Sequence, residues 1–194
     1  MQSEKIKVKD KSTFSLGGNT DYFFKAIYSN LKINLSLSKT NFKNIVNSND
    51  LRNVEATTYN YGAELRSVLK GVFNYHIGTN WTQNNISTTS FSNKSMNNIS
   101  FLDLFFTFNK KLFFTIQSER YYFGNLDKNS NKYYFTDFEA KYNIKNNKLS
   151  FTLTGQNLFN TEIFKEYTVS DIAISSTEYK LLPRYVLLKM EFRF

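Results

Sequence analysis

The chain carries one histidine, His76, and no cysteine. A lone histidine works as a general base only when a nucleophile and an orienting group stand within hydrogen-bond reach. No nucleophile–base signature accompanies it. Without thiolates and with a single imidazole, a zinc site or an iron cluster has no ligand set. The sequence therefore offers no catalytic, cofactor-binding or metal-binding residue, and the expectation is a protein that is not an enzyme. The remaining ionisable groups recur at spacings of two: Glu64 and Arg66, then Asp137, Glu139 and Lys141. In an extended chain that spacing puts them on one face. Such a row can line a substrate path or simply form a wall that meets water, and the wall is the reading favoured here. His76 falls in a similar row with Asn74 and Asn80.

Residues of this kind need long strands to position them, and the hydrophobic pattern predicts such strands. Leu31, Ile33, Leu35 and Leu37 alternate with Lys32, Asn34, Ser36 and Ser38. A period of two places the apolar set on one side of a strand and the polar set on the other. Tyr59, Tyr61, Ala63 and Leu65 repeat the pattern, as do Phe73, Tyr75, Ile77 and Trp81. Further on come Phe138, Ala140, Tyr142 and Ile144, then Leu149, Phe151 and Leu153. In the stretch 101–108 the pattern is less clean, because Phe101 and Phe105 interrupt the polar side. At the C-terminus Met190, Phe192 and Phe194 alternate with Lys189, Glu191 and Arg193 up to the final residue.

Nine strands are predicted, near 13–28, 31–42, 56–69, 72–84, 98–109, 112–123, 132–145, 149–158 and 184–194. Their lengths, roughly 10 to 14 residues, exceed the 5 or 6 usual in soluble domains and suit a tilted membrane strand of about 9 to 11. Short polar turns are predicted near Ser29-Asn30, Lys70-Gly71, Asn109-Lys110-Lys111 and Asn146-Asn147-Lys148. Long connections are predicted at about 43–54, 84–97, 124–131 and 159–182. Short turns on one side and long loops on the other match an outer-membrane barrel. Trp81, Tyr59, Tyr122 and Tyr134 lie toward the long loops. Phe73, Phe108, Phe114, Tyr142 and Phe194 lie toward the short turns. Two such bands read as interfacial aromatic girdles.

Composition supports this reading. Aromatics make up 18% of the 194 residues, and the formal net charge is +9. Lysines are scattered through turns and alternate strand positions, so the charge reads as solvated side chains and not as a nucleic-acid surface. No apolar run of about 18 residues would make a transmembrane helix. The first eleven residues, MQSEKIKVKDK, contain no apolar signal-peptide core. An antiparallel barrel closes with an even number of strands, so nine strands imply a missing portion before residue 1.

Two segments carry a more specific signal. One is LTGQNLFNTEIF, 153–164, in which Asn157-Leu158-Phe159-Asn160 follows a strand. The other is YKLLPRYVLLKMEFRF, 179–194, in which Pro183-Arg184 leads into the final strand. Together they resemble the C-terminal end of TonB-dependent outer-membrane receptors, particularly those of the Bacteroidetes type. The glycine that many members carry beside the Pro-Arg is absent. The resemblance implies a barrel of about 22 strands, of which residues 1–194 are the C-terminal portion. It also implies an N-terminal plug, a signal peptide and a contact with TonB elsewhere in the full protein. Phe192 and Phe194 resemble the aromatic signal read by the barrel-assembly machinery, although Lys189 stands where that signal often has glycine. Asn157 and Asn160 are expected to cap the turn at the strand end, and Pro183 suits a strand start.

The expected fold is thus all-β, a segment of an antiparallel transmembrane β-barrel in the outer membrane of a Gram-negative bacterium. The function that the resemblance implies is import of a scarce nutrient: a siderophore, a vitamin, a peptide or a glycan. The alternative is a complete small outer-membrane barrel of eight or ten strands with an adhesive or structural role. A soluble β-domain that binds carbohydrate or lipid ranks third, and an outer-membrane enzyme fourth.

Overall fold

The computed structural model describes residues 11–45, 51–89, 91–109, 111–144, 148–170 and 173–193. Eleven strands run in chain order: β1 Ser12–Phe24, β2 Ser29–Asn44, β3 Arg52–Ser67, β4 Phe73–Thr88, β5 Ser92–Phe108, β6 Leu112–Phe123, β7 Lys132–Ile144, β8 Leu149–Gln156, β9 Ile163–Val169, β10 Ile174–Lys180 and β11 Tyr185–Phe192. Nine of them form one sheet in the order β1-β2-β3-β4-β5-β6-β7-β8-β11, and β9 and β10 form a separate hairpin. All neighbouring strands are antiparallel. Among the described residues β1 and β11 each pair on one side only, so the sheet is open.

The pairing runs without a bulge from Ser12↔Asn41 to Phe192↔Leu149. Because the side-chain period is two, an unbroken register keeps each alternating set on one face. One row across the apolar face reads Leu31, Leu65, Ile77 and Leu102. Another reads Phe73, Phe106, Phe114, Ala140, Leu153 and Leu188. The polar face carries Lys32, Glu64, His76, Asp103, Asp137 and Lys189.

The sheet has one layer and almost no core. Among the described residues only Val54 and Tyr133 are buried and hydrophobic. Leu16, Val186, Leu188 and Met190 keep 63% to 66% of their surface exposed. The chain exposes 14241 Å², against about 9,600 Å² for a compact monomer of this mass. Nine strands about 4.8 Å apart, over about eight positions of 3.3 Å, give the apolar face a footprint of about 1,000 Å². The largest apolar patch on a soluble monomer is typically about 300–600 Å².

Nine predicted strands correspond in order to the nine strands of the sheet, but several boundaries differ. β1 ends at Phe24, and a single 3-10 turn at Lys25–Ile27 replaces the strand end predicted to reach 28. Tyr28 adopts φ 46°, which reverses the chain, so Ser29 already opens β2. The predicted long connection at 84–97 is largely strand, because β4 runs to Thr88 and β5 begins at Ser92; at 43–54 strand continues to Asn44 and resumes at Arg52, and 46–50 lie outside the described residues. The physical reason lies in cross-strand polar pairs. Thr58 Oγ1 donates to Asn84 Oδ1 at 2.8 Å, and Arg52 Nε donates to Asn44 Oδ1 at 2.7 Å. Asn, Ser and Thr serve as strand residues where such pairs satisfy them. The connection at 159–182 holds the β9–β10 hairpin, which alternation alone did not reveal. Lys110 and 145–147, parts of two predicted turns, lie outside the described residues.

Phe101 now has a reason for interrupting the polar side. It pairs directly with Gly78, and its ring lies over the glycine. A Cβ added at Gly78 would meet Phe101 Cζ at 2.5 Å. On the other face Phe138 covers its partner Gly155 in the same way, and a Cβ there would collide with the Phe138 ring. An aromatic ring thus fills the space that the missing side chain leaves. Gly78→Val should displace Phe101 and lower sheet stability by about 1–3 kcal/mol in denaturant titration. Gly18→Val, where a new Cβ meets nothing within 4 Å, should leave the midpoint unchanged or raised. Equal effects at both sites would refute this packing.

Candidate functional site: a hairpin seated on the polar face

The polar face brings together groups that lie far apart in sequence. His76 Nε2 stands 3.5 Å from Glu64 Oε2, and His76 Nδ1 stands 3.5 Å from Asp103 Oδ2. Strand pairing dictates this: Glu64 faces Gly78, and His76 faces Asp103. The Phe101 ring closes one side of the imidazole at 4.7 Å in an edge-on arrangement. At 3.5 Å these contacts are ion-pair distances rather than tight hydrogen bonds. The arrangement sets two carboxylates against the two ring nitrogens of one imidazole on the polar face. Among the described residues no group of three metal-ligating side chains could hold an ion.

Nearer the 124–131 and 157–184 connections, the polar face turns aromatic. Tyr121, Phe123, Tyr133 and Phe135 project from β6 and β7, and Phe164 of β9 seats among all four. Its ring centroid lies 5.3, 5.8, 5.0 and 5.8 Å from theirs. Each contact is edge-on, the arrangement the ring quadrupoles favour. Tyr179 of β10 closes on Phe164 from behind at 6.3 Å. Lys165 and Glu178 tie the two hairpin strands at 3.0 Å, and the carboxylate holds the ammonium above its usual range.

The residues that carry the family resemblance sit at the root of this hairpin. Asn157 and Asn160 have φ 52° and 54°, the left-handed region that asparagine tolerates better than most residues. The Asn157 amide nitrogen donates to Thr161 O and Leu182 O, both at 2.9 Å, and its oxygen accepts the Thr161 N–H. One side chain therefore joins the start of the hairpin to its exit. Asn160 Oδ1 accepts the Arg184 N–H at 3.0 Å, just before β11 begins. The expected turn-capping role of both asparagines is what the geometry displays, and it extends to the last strand.

Leu158 N–H bonds to Thr136 O at 2.9 Å, while Phe159 stays exposed with its ring 6.2 Å from Tyr134. Asp137, read from sequence as wall or substrate path, accepts the Asn157 N–H at 2.7 Å and so braces the same turn. Pro183 and Arg184 precede β11, which begins at Tyr185 and not at 184. Phe192 ends β11 opposite Leu149. Phe194 lies outside the described residues.

Sequence reasoning missed Phe164 and its aromatic seat. The signal that could find the first strand is composition, since Ile163, Phe164, Tyr167, Thr168 and Val169 are β-branched or aromatic residues that favour strand. Phe164→Ala should speed amide exchange across β9 and β10 by about tenfold or more, since each lost ring pair is worth roughly 0.5–1.5 kcal/mol. Exchange in β2 and β3 should not change. Unaltered exchange in the hairpin would show that the ring cluster does not hold it.

No family model matches the chain, and neither does any curated protein or solved structure.

Proposed function

We propose that this chain is a membrane-spanning part of an outer-membrane β-barrel, the C-terminal portion of a TonB-dependent receptor that imports a scarce nutrient. The observation that carries the membrane reading is the single-layer sheet with its uncovered apolar face. Two aromatic bands bound that face. Tyr61, Trp81 and Tyr122 form one, with centroids 6.3 Å apart in each neighbouring pair. Phe73, Phe106, Phe114 and Phe138 form the other, at 5.0 to 6.2 Å. From Phe73 to Trp81 along β4 is about 26 Å, or about 20 Å at a barrel-like tilt of roughly 40°. Outer-membrane barrels present an apolar band of about 25 Å between girdles.

On this reading the apolar face meets lipid, and the His76 side meets the lumen or a plug. The β9–β10 hairpin is an extracellular loop folded inward over the lumen. The receptor assignment rests on the Asn157–Asn160 box, on Pro183-Arg184 and on Phe192 and Phe194. The open edges at β1 and β11 are where further barrel strands would pair, because exposed edges invite aggregation. TonB, an N-terminal plug and the barrel-assembly machinery are the partners this function requires.

In the intact bacterium the full-length protein should fractionate with the outer membrane. Uptake of its nutrient should require both this protein and a working TonB. Outer-membrane protein without TonB dependence in any uptake assay would remove the receptor assignment and leave the barrel. Phe194→Ala should reduce inserted protein several-fold by heat-modifiable gel mobility. Wild-type insertion would contradict the signal role of the terminal aromatic.

A further inference from the structure

Charge is distributed unequally between the two faces. By strand register the apolar face carries Lys39, Lys43, Glu55, Lys94, Arg120 and Lys132. Its single acid, Glu55, is already paired with Lys39 at 2.9 Å. All of these residues stand eight or more positions from the short-turn ends of their strands; Arg120 lies one register step short of the Trp81–Tyr122 band, and the others are level with it or beyond it. The other end of this face has no charged strand residue. The polar face mixes both signs along its length.

Arg120 is the most deeply placed of these cations. It is half-buried, it sits between Ser100 and Tyr134 in the register, and it makes no ion pair or hydrogen bond among the described residues. It also stands at one end of a trough of about 510 Å³ in the apolar face. Leu31, Leu65, Ile77 and Leu102 wall the trough, and the small side chains Ala63 and Ser118 deepen it. The polar atoms in its floor are satisfied by one another. Thr79 Oγ1 and Ser100 Oγ lie 2.9 Å apart, and Asn98 Nδ2 donates to Thr79 Oγ1 at 2.8 Å. A floor of self-paired hydroxyls accepts an acyl chain without leaving a polar group unbonded.

We infer that this trough seats an acyl chain of an anionic, phosphate-bearing membrane lipid, with its phosphate on Arg120. The inference rests on the membrane reading of the apolar face. The trough runs across the strands, from Leu31 on β2 to Arg120 on β6 and Tyr134 on β7, and covers two neighbouring register rows; that is about 24 Å across the sheet and about 7 Å along the strands. A chain lying in it brings its headgroup to Arg120, one register step from the aromatic band near which phosphates of the long-loop leaflet would stand. The planar guanidinium matches phosphate oxygens in bidentate geometry. Lys132, also without a partner among the described residues, stands one register step from that position on β7 and supplies further positive charge. Charge complementarity therefore selects an anionic lipid over a zwitterionic one.

Trp81 is the sole tryptophan, and its ring lies 6.3 Å from Tyr122, two residues from Arg120. The test reconstitutes the protein in phosphatidylcholine vesicles and measures quenching of Trp81 by dibrominated phosphatidylglycerol and dibrominated phosphatidylcholine. The expected result is about fivefold preference for the anionic lipid near Trp81. Arg120→Gln should bring that preference close to one, and Arg120→Lys should retain part of it. Equal quenching by both lipids, or a preference untouched by Arg120→Gln, overturns the lipid seat. Absence of quenching by either lipid overturns the membrane reading itself. Quenching of the variant by the neutral lipid at wild-type strength shows that it still inserts.

Discussion

A single β-layer has two faces and no interior. Every other feature of this chain follows from what must cover the apolar one. In a soluble sandwich a second sheet provides cover, and facing side chains interdigitate at about 10 Å. Here nine strands lie side by side, and among the described residues the one element folded back onto them, the β9–β10 hairpin, sits on the polar face. The hydrophobic effect then demands an apolar solvent or a partner for about 1,000 Å² of Leu, Phe, Tyr and Ile. The proposed bilayer is the cover that would also account for the two aromatic bands and for the confinement of charge to one end of this face. It explains why backbone groups are paired strand to strand without a bulge, since an unpaired amide in hydrocarbon costs several kcal/mol.

The polar face meets a different constraint. It need not be apolar, so it can carry machinery. His76 between two carboxylates, the Asn and Thr ladders of β2–β4 and the aromatic seat of Phe164 share it without disturbing the other side. The hairpin links the two ends of the long connection to the sheet through a few side chains. Asn157 holds Thr161 and Leu182, Asn160 holds Arg184, and Asp137 holds Asn157. The box that carries the family resemblance is thereby a structural joint. It fixes where the last strand starts and where the hairpin can reach, which offers a physical reason for its residue types without any ligand contact.

Much of this was legible in the residues. The alternation of Leu31 to Leu37 and Tyr59 to Leu65 reveals both strand and face because period two depends on local geometry alone. The asparagine turn was legible because Asn bonds its own neighbourhood. What escaped was non-local. Glu64, His76 and Asp103 meet through register across three strands, which no single segment encodes. Phe101 looked like a pattern error until Gly78 stood opposite it. The polar halves of β3, β4 and β5 resembled loops, since Asn and Ser rank low as strand formers until a cross-strand partner satisfies them. The hairpin at 163–180 was hidden by its short strands and by an anchoring residue that contacts four rings outside it.

The most direct test of the central claim is a nitroxide scan of β4, feasible because the chain has no native cysteine. Residues 73 to 81 of the protein in lipid bilayers would each be replaced by cysteine and labelled in turn. Odd positions, Phe73 to Trp81 on the apolar face, should be relaxed strongly by oxygen and weakly by a water-soluble nickel chelate. Even positions, Asn74 to Asn80, should show the reverse, with a period of two. Equal accessibility at odd and even positions, or odd positions open to the chelate, would contradict the claim that this face is built for lipid.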